Sequence, residues 1–164
     1  MDTTAGPQGG TDGGAYPDEP AGLQPFLHDS CLTVCAPSLA ISRRDGQISG
    51  GADGFYHGDR RALSRLEVSA SVPLAPIGGW WDGADRAFFR SVLRGLAEHS
   101  PDPAATLERT REIRPGRMTE TLLVGNAGRS TAHLTLTIRT ASDLARMEEV
   151  RTGMPNRPLA PAAT

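Results

Sequence analysis

The 164-residue sequence predicts a mainly β domain, an antiparallel β-sandwich, and three observations point there. Apolar residues recur at every second position in several short runs. Turn chemistry separates those runs at intervals of about ten residues. Glycine and proline, 19 and 13 residues, punctuate the chain too often for long helices. Their combined share stays below the roughly 25–30% that marks low-complexity disorder.

Residues 1–22 are Gly, Pro, Thr and acid with almost nothing apolar, so they read as a disordered leader that cannot offset its ordering entropy. The ordered body is expected over 23–153, with a flexible Pro/Ala-rich tail over 154–164. Cys31 to Ala36 and Leu39 to Ser42 are short strand candidates. Asp45-Gly46 is a hairpin signal, because both central residues of a type I′ turn need positive φ, and Gln47 to Ser49 is the expected return strand. Leu66, Val68, Ala70 and Val72 alternate with Glu67, Ser69 and Ser71. Leu134, Leu136 and Ile138 alternate with Thr135, Thr137 and Arg139. Each pattern sorts apolar and polar side chains onto opposite faces of a strand. Pro115-Gly116 marks a turn between a strand ending near Arg114 and another running Met118 to Val124, and Asn126-Ala127-Gly128 makes the next turn. One segment dissents. Within Asp85 to His99, Phe88, Phe89, Val92, Leu93 and Leu96 fall on an amphipathic helix stripe, so the local pattern favours a helix.

Formal net charge is −2 and every basic residue is Arg. Four acids (Asp2, Asp12, Asp18, Glu19) sit in the leader, which leaves a nearly neutral body, far from the basic patch nucleic-acid binding demands. No apolar run approaches the ~18 residues of a membrane span. The leader lacks the basic and apolar regions of a secretory signal, so none is expected. Cys31 and Cys35, four strand steps apart, would have Cα atoms roughly 13 Å from one another, beyond the ~7 Å limit for a disulfide. Unlinked thiols suit a reducing cytoplasm. A zinc set of His28, Cys31, Cys35 and His57 matches no usual ligand spacing, and neither metal nor cofactor is expected.

The remaining constellations carry structural readings. Asp143, Glu148 and Glu149 are the residue types of a glycosidase pair, but they share one short segment with Arg146 and Arg151 and read as an ion-pair cluster. His57, Asp59 and Ser64 lack a nucleophile elbow. Gly50, Gly51 and Gly54 form no phosphate loop and read as turn residues. Trp80 and Trp81 after Gly78-Gly79 suit a sheet edge or a domain interface, with sugar contact as the sharper alternative. Arg60, Arg61 and Arg65 beside Asp59 suit a turn fixed by bidentate bonding.

The stretch from Gly54 to Leu66, GFYHGDRRALSRL, resembles the signature of the N-terminal domain of bacterial glycogen debranching enzymes of the amylo-alpha-1,6-glucosidase type. Asp45-Gly46-Gln47-Ile48 with Gly50-Gly51 is similar to the hairpin that precedes it. Glu108 to Arg111 and Glu120 to Asn126 are similar to two paired strands. Ser142 to Arg151 resembles the closing motif, with Arg146 and Glu148 standing where the family has an acid and an aromatic. The resemblance implies a supersandwich-like β domain, incomplete here, and turns Asp85 to Leu96 into a strand. It implies a non-catalytic role beside a helical (α/α)6 glycosidase domain, supplied in trans or lost by truncation. Asp59, Arg60, Arg65, Glu149 and Arg151 are then the residues expected to fix the fold and that interface, with no catalytic residue in this chain. The alternative is a stand-alone carbohydrate-binding module that holds alpha-glucan through Tyr56, Trp80 and Trp81. Sheet edges left open would favour self-association.

Overall fold

The computed structural model describes residues 30–96 and 104–153. The expected leader and tail, His28 and the 97–99 end of the helix-like stripe lie outside them. Ten strands and one short helix are present in the described part: β1 (Ser30–Cys35), β2 (Ser38–Arg43), β3 (Gly54–His57), β4 (Arg60–Leu63), β5 (Arg65–Ala70), β6 (Leu74–Trp81), β7 (Arg86–Leu93), β8 (Ala105–Arg114), β9 (Arg117–Asn126), β10 (Leu136–Ala141) and α1 (Met147–Arg151).

Two antiparallel layers pack against each other. One is the sheet β6-β7-β8-β9. The other joins the sheet β1-β2-β3-β4 to the pair β5–β10. These merge because β4 runs through Ser64 directly into β5, while Ala141 to Ala145 follows alongside: Ser64 N–H donates to Ala141 O at 2.8 Å and Arg61 N–H to Ala145 O at 2.9 Å. Ile48 bonds Leu66 in both directions across the opposite edge of β5.

The core lies between the layers. Ala40 and Phe55 meet Ile113, Cys31 meets Ala87 and Phe89, and Leu93, Leu96 and Ala105 gather with Ala70, Val72 and Leu134. Period-two patterning put β5 and β10, and the flanking turns put β9, within two or three residues of their observed ends.

The helix-like stripe is the strand β7, as the resemblance implied. Its apolar doublets arise because both faces of the strand are in use. Ala87 and Phe89 enter the core, Phe88 packs on Trp80 outside, and Val92 and Leu93 are both buried where the strand ends. A turn forms here, but not the type I′ turn expected with Asp45 and Gly46 at its centre. Asp45 is not at positive φ, Gly46 N–H closes back on Arg43 O at 2.9 Å, and Gly46 alone takes the left-handed conformation, at φ 81. Gln47 to Ser49 does not return along β2 as a strand, since β3 occupies that edge, and Ile48 bridges Leu66 instead.

Candidate functional site

The sheet places a chain of buried arginines where apolar residues are the rule. On β8 the inward positions read Ala105, Leu107, Arg109, Arg111 and Ile113, all buried. A guanidinium survives there only with a counter-charge and enough acceptors. Glu120 on β9, directly opposite Arg111, supplies the charge to both. Arg109 donates to its Oε1 at 2.6 Å and Arg111 to its Oε2 at 2.9 Å. Both also donate to the carbonyl of Gly46, at 3.1 and 2.7 Å, and both lie over the Phe89 ring, 5.8 and 5.2 Å from its centroid. Burial lowers the pKa of Arg109 from the ordinary arginine value, and Glu120 opposes that shift.

Gln47 closes this cluster. Its Oε1 accepts from Arg109 and from Val68 N–H, and its Nε2 donates to Val68 O at 2.7 Å. The Asp45-Gly46 turn therefore ties the two layers together through backbone and side chain alike.

A second buried pair fixes the closing segment. Arg61 and Asp143 have side chains 0% and 1% exposed, and Arg61 grips both carboxylate oxygens, at 3.2 and 2.6 Å. Its Nη1 donates to the carbonyls of Gly51 and Asp53 at 2.6 and 3.1 Å. Asp143 thus pairs with an arginine 82 positions upstream rather than with its neighbours Arg146 and Arg151.

The residues expected to fix the fold gather partly around this pair. Arg60 donates to Leu144 O at 3.0 Å, and Asp59 offers its backbone carbonyl to Met147 N–H at 2.8 Å. Glu149 accepts from Arg146 N–H at 2.6 Å and so caps α1. Arg65 stands apart on β5, 3.8 Å from Glu67, and Arg151 is exposed in the last turn of the helix. Among the expected sugar contacts, Tyr56 is 2% exposed and donates to Ala52 O at 2.7 Å; burial raises its phenol pKa. Trp80 and Trp81 are consecutive on β6 and so face opposite ways. Trp81 donates its indole N–H to Leu32 O at 3.2 Å across the seam between the layers. Trp80 stacks on Phe88 on the outer face, rings 5.0 Å apart and 6° from parallel.

His57 bonds Ser38 rather than Ser64, with Oγ and Nδ1 2.8 Å apart. Among the described residues no three His, Cys, Asp or Glu side chains gather in a way that could hold a metal ion. No helix of the described residues is long and apolar enough to cross a membrane. Sequence reasoning missed the burial of Arg109 and Arg111, the half-buried Glu120 that pairs with both, and the weight carried by Arg61. The signal was available: both arginines stand in phase with Leu107 and Ile113.

A search of curated proteins gives no match for this chain. A family model does match, over residues 34–163, and its description is "N-terminal domain of (some) glycogen debranching enzymes". That span takes in both buried arginine clusters and the closing segment they hold, and the chain belongs to this family of debranching-enzyme N-terminal domains.

Proposed function

We propose that this chain is the non-catalytic β domain of a glycogen-debranching protein, and that it packs on a helical (α/α)6 glycosidase domain and helps to shape its substrate cleft. Membership of the family implies a catalytic partner domain. The observation that carries the reading is at the free edges. Directly opposed residues in an antiparallel pair point to the same face. Val124 opposes buried Leu107, and Ile138 opposes buried Val68, so both belong to the inward-facing sets. Yet they are 42% and 53% exposed, on β9 and β10, each of which has a strand neighbour on one side only among the described residues. Two inward-phase apolar positions left open favour a partner that covers them.

Further support comes from the carboxylates. Asp143 is held by Arg61 and Glu149 caps a helix, so both are engaged in structure. Free thiols at Cys31 and Cys35 favour a reducing, cytoplasmic setting.

The test mixes this chain with the helical glycosidase polypeptide and follows both complex formation and hydrolysis of α-1,6 branches. A one-to-one complex with raised hydrolysis is expected, and Val124→Arg with Ile138→Arg should abolish it. Binding undisturbed by those two charges would refute the reading. Self-association through the same edges is the competing outcome, and light scattering on the chain alone separates the two.

A further inference from the structure

We infer that the outer face of β6–β7 carries a carbohydrate subsite, built on the free face of Trp80 and taking a glucose unit of an α-glucan chain. The choice of glucan rests on the debranching reading above; the platform itself rests on geometry. Phe88 covers one face of the Trp80 indole in a near-parallel stack. β6 is an edge strand, so the opposite face looks off the sheet, and the residue is 45% exposed. A flat apolar ring face of this kind suits the apolar face of a pyranose.

The surroundings supply what the hydroxyls need. Two positions back on β6, Gly78 has open space where a side chain would stand, which leaves a notch beside the indole. Two positions on, Asp82 lies 3.6 Å from Arg86, which is also 3.6 Å from Glu112. On the other flank Arg90 faces Glu108 at 3.5 Å. Cross-strand register sets these as rows: Arg86–Glu112, then Trp80–Phe88–Thr110, then Gly78–Arg90–Glu108. Carboxylates accept and guanidiniums donate, so a ring resting on Trp80 meets both kinds of partner on both sides. A protein-docking face is depleted of charge at its centre. Here the aromatic pair sits between two ion-pair rungs, the arrangement that favours a polyhydroxylated ligand.

Neither Tyr56 nor Trp81 belongs to this subsite. The former is buried and the latter is bonded across the seam on the opposite face.

The experiment titrates the full chain, labelled with 15N, with maltoheptaose and follows the two indole N–H signals. The Trp80 signal should shift with an apparent Kd of about 1–10 mM, the range of a single shallow subsite, while the Trp81 signal stays in place. Gly78→Leu, which fills the notch and leaves Trp80 present, should weaken the response at least about tenfold. In Trp80→Ala, which removes the indole signal, the backbone N–H of Phe88 opposite it is followed instead and should lose its sugar-induced shift to the same extent. Both Trp80 loss and notch filling are used so that misfolding of one variant leaves the other to decide. A Trp80 signal unmoved by maltoheptaose, or moved equally in Gly78→Leu, overturns the platform and leaves the debranching reading standing. An equal response to cellohexaose overturns the α-glucan assignment and counts against the reading on which it rests. A Trp80 site that instead responds to the helical glycosidase polypeptide and to no sugar makes this face a protein contact and overturns the proposal.

Discussion

Removing the carboxylate of Asp143 isolates the strongest single tie between the closing segment and the sandwich. The Arg61 guanidinium is fully buried, with two of its nitrogens on Asp143 and the third on two carbonyls. Asp143→Ala leaves that cation in the interior with the carbonyls alone. Breaking a buried pair in this way costs about 3–5 kcal/mol, a large part of the ~5–15 kcal/mol that holds a typical domain folded. With a urea slope of about 2 kcal/mol/M, the midpoint should fall by roughly 1.5–2.5 M. Asp143→Asn keeps an acceptor for Ala145 N–H, which bonds Oδ1 at 3.1 Å, and so tests the charge separately from the turn. The double variant Arg61→Met with Asp143→Leu removes both charges and should recover part of the loss, but stay below the parent because the Gly51 and Asp53 carbonyls and Ala145 N–H lose their partners. Urea titration followed by far-UV circular dichroism measures all three. A loss below about 1 kcal/mol for Asp143→Ala, or a double variant as weak as the single one, would refute the argument.

Glu120→Gln should cost about 3–5 kcal/mol in the same assay, because one carboxylate balances both Arg109 and Arg111; adding Arg109→Met should recover part of the loss. Burial raises the Asp53 carboxyl pKa above its unfolded value of 3.8. Its contribution is therefore complete below that value and is lost as pH rises through the folded pKa, so the charge is a liability at neutral pH. Asp53→Asn, which can still accept from Ser49 N–H, should raise the melting temperature at pH 7 and change it little at pH 3. Gly46→Ala places a Cβ 2.6 Å from Phe89 Cδ2 at a φ of +81 and should destabilise by more than about 1 kcal/mol in thermal melts.

Much of the layered architecture was legible in the residues. Leu66, Val68 and Ala70 announce β5 because one face of that strand is buried and the other is not. β3 and β4 were harder to see. Gly54 reads as a turn residue, yet it pairs with Ile41 in a strand, and a glycine stands there because Arg61 needs the room: a Cβ would stand 2.5 Å from Arg61 Cδ. The doublets Phe88-Phe89 and Val92-Leu93 imitate a helix, since period-two reasoning assumes one wet face and β7 has apolar neighbours on both. Ion-pair partners were the least legible. Asp143 has three arginines within eight positions (Arg139, Arg146 and Arg151), and its actual partner comes from β4, a proximity that the paired backbones of Arg61 and Ala145 create. The platform at Trp80 is half visible in the sequence: the tandem tryptophans stand out, but which one faces outward depends on the register of β6 against β7.

The most direct test of the account is amide hydrogen exchange of this chain, alone and with the helical glycosidase polypeptide. The account predicts that protection on mixing concentrates at β9 and β10, around Val124 and Ile138, which have no second strand neighbour among the described residues. Unchanged exchange at both strands, or protection confined to the β1 edge, would contradict it.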